Sequence, residues 1–214
     1  MRIMLDAGHG GTDSGAIGVS IIEKDYTLKV VKKLKEKLNN YVCDVFLTRD
    51  TDTHISLMNR CNLSNVNNCD VFISIHCNSF TDKNANGFES FSINGESTLQ
   101  KNIHKSIMNR VSIKDRGIKK ENFYVLRNTY AKAILLELGF VSNINDSKIL
   151  EKDIDKFVDG IIDGLILTYN LKLKENKEIM YTIQVGCFKN KNNAQVLANE
   201  LRSKGYECII KASV

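Results

Sequence analysis

Short β-branched and aliphatic runs alternate along this chain with stretches of helical period, and no other feature limits its fold as strongly. Runs at Ile3–Leu5, Val42–Thr48, Asp70–Ile75, Gly87–Ile93, Phe123–Leu126 and Ala133–Leu138 have the length and composition of strands. Between them apolar residues recur every three or four positions: Leu28, Val31, Leu34, Leu38; Ile55, Met58, Cys61; Ile103, Ile107, Val111; and Ile154, Phe157, Ile161, Leu165. This alternation predicts an α/β fold with a mostly parallel sheet flanked by helices. Ligands of such sheets bind beyond the carboxyl ends of the strands, so chemistry is sought there.

Four residues answer to that position or reach it. His9 follows the first strand in DAGHGG, His76 ends VFISI, Glu137 comes late in AILLEL, and Glu23 opens the first helix. Two imidazoles and a carboxylate (His9, His76, Glu23) make the ligand set that leaves a tetrahedral Zn²⁺ one open position for water, and Glu137 would be the free carboxylate that moves protons. Each has a blander reading: a loop histidine, a helix-dipole partner at Glu23, a core histidine at position 76. Glu137 is harder to set aside, since a carboxylate between two leucines is costly unless paired or placed at a cleft. Asn78 is a candidate for orienting a ligand or binding substrate. Arg49 with Asp50 and Asp52 reads as a local ion pair, and His54 and His104 as surface residues.

Read in order, DAGHGGTDSGAIG, Glu23, TRDTDTHISLMNRCNLSN, CDVFISIHCNS, GFESF, DRGIKKENFYVLRNT and ILLELGFVSN resemble the zinc-dependent N-acetylmuramoyl-L-alanine amidases of cell-wall turnover, spore lysis and phage lysis. The resemblance spans roughly residues 1 to 170. It implies a phosphorylase/hydrolase-like sheet, one zinc per chain on His9, Glu23 and His76, Glu137 as the proton carrier, and hydrolysis of the amide between the lactyl group of N-acetylmuramic acid and L-alanine. Ala7 departs from the DPGHGG common in the family, which removes the φ restraint of proline from the loop. A zinc aminopeptidase or carboxypeptidase would use the same ligands, though no further Asp/His cluster signals a second metal. A catalytically idle wall-binding protein would not need all four residues.

Beyond Leu171 the run KLKENKE reads as a linker, giving a catalytic domain at 1–171, a linker at 172–179 and a tail at 180–214. The tail's YTIQVGCF, NNAQVLANELRSKG and YECIIKASV read as strand, helix, strand and resemble half of a SPOR domain, a peptidoglycan-binding module. Six Lys/Arg against three Asp/Glu in residues 176–214 give it +3 of the net +5 charge. That suits an anionic wall polymer, whereas nucleic acid would call for denser basic clustering with interleaved aromatics. A half-module lacks a strand, so a homodimer pairing residues 180–214 across a two-fold axis is expected. No run approaches the ~18–20 apolar residues of a membrane span. MRIMLDAGHGG enters the first strand directly, which predicts synthesis in the cytoplasm without a secretory signal and access to the wall after phage or mother-cell lysis. The six cysteines fall singly in apolar runs and read mostly as reduced core residues.

Overall fold

A computed structural model describes residues 1–175 and 183–212. In chain order its elements are β1 (Arg2–Ala7), α1 (Glu23–Leu38), β2 (Asp44–Leu47), α2 (Leu57–Val66), β3 (Val71–Asn78), β4 (Phe88–Ser92), α3 (Thr98–Arg110), β5 (Asp115–Lys120), α4 (Tyr124–Arg127), β6 (Lys132–Phe140), α5 (Ile144–Lys152), α6 (Ile154–Tyr169) and α7 (Lys191–Ser203). The strands form one sheet in the order β2-β1-β3-β6-β4-β5. The first four run parallel, as expected; β4 is antiparallel to β6, and β5 follows β4 in parallel.

Strand alternation sends neighbouring residues to opposite faces. Ile3, Leu5, Val71, Ile73, Ile75, Ile134, Leu136 and Leu138 join one core with α1, α3 and α6. Met4, Phe72, Phe91 and Leu135 join a smaller one with Cys61 of α2 and Val125 and Leu126 of α4. Strands buried on both faces read as continuous apolar runs, which is why β1, β3 and β6 stand out in the sequence. Each fully buried Leu, Ile or Phe contributes roughly 1.5–3 kcal/mol. Helix starts are marked where side chains cap them: Ser56 accepts from Asn59 N–H, Ser97 from Gln100 N–H, and Asn143 from two amides.

Three elements differ from the expectation. Phe123–Leu126 is not a strand; residues 124–127 form the single turn α4, because Val125 and Leu126 fill the space beside α2. Four apolar residues in a row cannot distinguish strand from turn. The edge strand β5, DRGIKK, is too charged to announce itself, and α5, INDSKILEK, buries only Asp146, Ser147 and Leu150.

The chain divides into two compact units, Met1–Lys174 and Glu175–Val214. In the second, α7 is the only regular element among the described residues. Ile183–Phe188 and residues 206–212 carry no strand, contrary to the expected strand-helix-strand pattern; Tyr181 and Thr182 lie outside the described residues. Two short strands with no neighbour between them have no ladder to complete.

Candidate metal centre

Each candidate residue is delivered by a different piece of chain to the carboxyl edge of the sheet. β1 ends at Ala7, and the loop that follows turns sharply, with His9 itself at φ 60°. β3 carries His76 on the face opposite Cys77, which points into the larger core. β6 sets Glu137 directly across from His76. Glu23 is the first residue of α1 and is 3 % exposed.

Ligand atoms of His9, Glu23 and His76 all lie within 4.8 Å of one another. Glu23 Oε1 is 2.9 Å from His76 Nδ1 and 3.2 Å from His9 Nε2. Backbone amides fix the carboxylate, Cys77 N–H donating to Oε1 at 3.0 Å and Ala16 N–H to Oε2 at 2.8 Å. Asp13 Oδ2 lies 2.9 Å from His9 Nδ1, which orients the ring and leaves Nε2 facing Glu23. Glycines make room for this: a Cβ at Gly8 would sit 2.4 Å from His76 Cε1, and one at Gly15 would sit 2.5 Å from His9 Cδ2 and 2.6 Å from Glu23 Oε2. Cys77 is not among the ligand group, in keeping with strand alternation.

The electrostatics mark a place for a cation. The hydrogen bond to Glu23, against the effect of burial, raises the His9 imidazole to about 9. Burial would raise the Glu23 carboxyl, but hydrogen bonds from His76 and His9 hold it well below the carboxylate range. Burial would lower His76, and Glu23 outweighs it and raises the imidazole. A metal ion placed among these three atoms can coordinate all of them, as one proton cannot, so the donor set fits Zn²⁺. Glu137 is of another kind. Burial pushes its carboxyl up to about 7, and its Oε2 is buried without a hydrogen-bond partner among the described residues. An orphaned acceptor beside two imidazoles is placed to take a proton.

Two arginines whose part in the site the sequence did not reveal hold this arrangement. Arg60 Nη2 donates to His9 O at 2.8 Å, while Arg49 Nε donates to Ala7 O at 3.1 Å and its Nη2 to Gly8 O at 2.9 Å. Arg49 Nη2 also reaches Lys24 O at 2.7 Å, so one guanidinium ties the loop of His9 to the helix start at Glu23. Asp6, 1 % exposed, pairs with Arg60 at 2.7 Å and accepts from Ser74 and Thr48. Arg49 thus binds carbonyls and does not pair with Asp50 or Asp52; Asp52 pairs with Lys24. The partners that fix the site lie 25 to 54 residues from these arginines, so local sequence does not point to them. Asn78 donates to Glu89 Oε1 at 2.7 Å, so it orients that carboxylate and none of the three candidate ligands. His54 is exposed as expected, but His104 is 5 % exposed and bridges Ser90 and Asp115.

The profile of the N-acetylmuramoyl-L-alanine amidase family matches residues 3–166, and that of the SPOR domain matches residues 177–213. A sporulation-specific N-acetylmuramoyl-L-alanine amidase of Bacillus subtilis (strain 168) is 36 % identical over 98 % of this chain and 84 % of its own length. An endolysin of Bacillus phage SPP1 is 38 % identical over 80 % of this chain and 67 % of its own. Among solved structures, an N-acetylmuramoyl-L-alanine amidase from Clostridium difficile 630 superposes with a TM-score of 0.73 at 35 % identity, covering 79 % of this chain and 96 % of that one. The catalytic domain of CwlV from Bacillus (Paenibacillus) polymyxa var. colistinus gives 0.72 at 32 % identity over 80 % and 99 %.

Proposed function

Because the chain belongs to the N-acetylmuramoyl-L-alanine amidase family and cleaves the amide between muramic acid and L-alanine in peptidoglycan, we propose that His9, Glu23 and His76 hold one zinc ion and that Glu137 carries the proton. When bound, zinc supplies Lewis acidity that polarises the lactyl carbonyl and lowers the pKa of a water to about 7. Glu137 takes the proton of the attacking water and returns it to the departing amine of L-alanine. Its burial across from His76 and its unpartnered Oε2 suit that shuttle, since no other group among the described residues competes for the proton there. Asp13 keeps the His9 ring turned, and the amides of Ala16 and Cys77 keep Glu23 ionised and still. The observation that carries this reading is the convergence of the three ligand atoms beside an unpartnered carboxylate. It favours one metal per chain, since the described residues hold no other such His/Cys/Asp/Glu group.

We further propose a division into a catalytic unit, residues 1–171, a linker, 172–179, and a wall-binding tail, 180–214. The two family matches and the separation into two compact units support it. Exposed Ile183, Val185, Val196 and Ile209 in the tail support self-association through 180–214, making the protein a homodimer. No helix of the described residues is long and apolar enough to cross a membrane. The working place we propose is the cell wall after lysis has exposed it.

Metal analysis tests the central claim. Protein purified without chelator should hold one zinc, lose activity with chelator and regain it with Zn²⁺. Glu137→Gln should keep that zinc yet lose roughly 10²–10⁴-fold in kcat; full activity in this variant would refute the proton-carrier role.

A further inference from the structure

Glu89 is a buried carboxylate that the proposed chemistry leaves unused. It lies on β4, 3 % exposed, and its register partner is Glu137. The same row continues across four strands: His76 faces Glu137, Glu137 faces Glu89, and Glu89 faces β5. There the register shifts, from Phe88 opposite Asp115 to Ser90 opposite Ile118, so Arg116 and Gly117 together oppose Glu89. Gly117 adopts φ 88°, which allows the extra residue. Bulges of this kind re-aim a side chain, and here the side chain is Arg116.

Arg116 Nε donates to Glu89 Oε2 at 2.8 Å, and Lys119 Nζ donates to the same oxygen. Asn78 completes the set at Oε1. Glu89 is therefore satisfied, but two cations meet one anion. One positive charge is left over, and both cationic side chains remain partly exposed, at 29 % and 39 %. Arg116 lies on the Phe140 ring at 4.8 Å, and its Nη2 has no hydrogen-bond partner among the described residues. A guanidinium held by Nε against a buried acid and by a long Nη1 bond to Asn86 O, 3.4 Å away, still offers Nη2 to a second carboxylate.

We propose that Arg116, assisted by Lys119, is the receptor for a carboxylate of the stem peptide on the leaving-group side of the scissile bond. The inference rests on the amidase reading, with Glu137 at the reacting amide. β5 stands two strand spacings from Glu137, ~10 Å. An extended peptide advances ~3.5 Å per residue, so a carboxylate on the residue after L-alanine comes within reach of the long Arg116 side chain. Glu89 is then a positioning residue: it anchors Arg116 and spares Glu137 a direct cation that would hold it ionised.

Two soluble muramoyl-peptides that differ only in a free carboxylate or a carboxamide on the residue after L-alanine test this. Wild-type protein should cleave the carboxylate form with a kcat/KM tenfold or more higher, mainly through KM, and 0.5 M salt should shrink the difference. Arg116→Gln should bring the ratio of the two kcat/KM values close to one, Arg116→Lys should restore part of it, and Lys119→Gln should lower it less. The ratio is read within each protein, so a partly misfolded preparation does not move it; if Arg116→Gln fails to fold, Lys119→Gln reads the same quantity. Equal cleavage of both substrates by wild type, or an unchanged ratio in the folded variants, overturns the receptor. Cleavage of neither by wild-type protein would instead remove the amidase premise.

Discussion

At the scale of single residues, the centre depends on groups that never touch a ligand. Arg49 bonds Ala7 O, Gly8 O and Lys24 O with one planar fork, a geometry that lysine cannot copy. Arg49→Lys is therefore expected to weaken zinc binding about 10–100-fold, as loss of an outer-shell partner does elsewhere. Competition with a chromogenic chelator measures this, and a remote core variant such as Leu34→Ala, equally destabilised, should bind zinc as tightly as wild type. Asp6 makes a pH prediction. Burial would raise its carboxyl, but Arg60 and the Ser74 hydroxyl overcome burial and hold it below its ordinary value. A folded-state value below the unfolded ~3.9 gives stability that is present above about pH 4 and lost as pH falls through the lower folded value. Urea midpoints should thus decline below about pH 4 in wild type and decline less in Asp6→Asn, which starts less stable; parallel acid limbs would exclude Asp6 as the group responsible. His9, Glu23, His76 and Glu137 were legible because each interrupts a pattern: a turn, a helix start, an apolar strand. Arg60 and Glu89 were not, because their partners are distant in sequence, and Arg49 was misread because the adjacent Asp50 and Asp52 suggested a local pair in place of its distant carbonyl partners.

At the scale of elements, the buried central strands and the amphipathic helices could be read from periodicity alone. The polar edge strand β5 and the short α4 and α5 could not, since their places are set by neighbours. Contact between α3 and α6 shows what periodicity leaves out. A Cβ at Gly164 would lie 2.4 Å from Ile103 Cα, and one at Gly160 would lie 2.8 Å from Ile107 Cα, so both glycines permit close approach of two backbones. Alanine at a helix interior normally gains about 1 kcal/mol over glycine. Gly164→Ala should instead destabilise by roughly 1–3 kcal/mol, because the helices must separate. Chemical denaturation checks the sign, and zinc bound per folded molecule should stay near one.

At the scale of the whole molecule, the α/β class followed from the alternation of strand-like runs with helical periods, and the charged run near residue 172 lies close to the boundary between the two compact units at Lys174 and Glu175. The strands expected in the tail did not appear among the described residues, since β pairing depends on a neighbour that local sequence cannot supply. Removing residues 176–214 should leave hydrolysis of a small muramoyl-peptide within about twofold of the full chain while weakening retention on isolated sacculi. Light scattering should report a dimer for the full chain at tens of micromolar and a monomer for residues 1–175; a monomeric full chain rejects self-association through the tail. The sheet order carries a different consequence, for biosynthesis. β6 is the last strand of this sheet to be made, yet it sits between β3 and β4 and joins β2-β1-β3 to β4-β5. Until residues 132–140 leave the ribosome, the nascent chain is two unjoined half-sheets with open edges, and Glu137 rides on the missing piece. A product terminated before β6 would therefore lack Glu137 and expose two open half-sheets, a substrate for chaperones and proteases rather than a hydrolase.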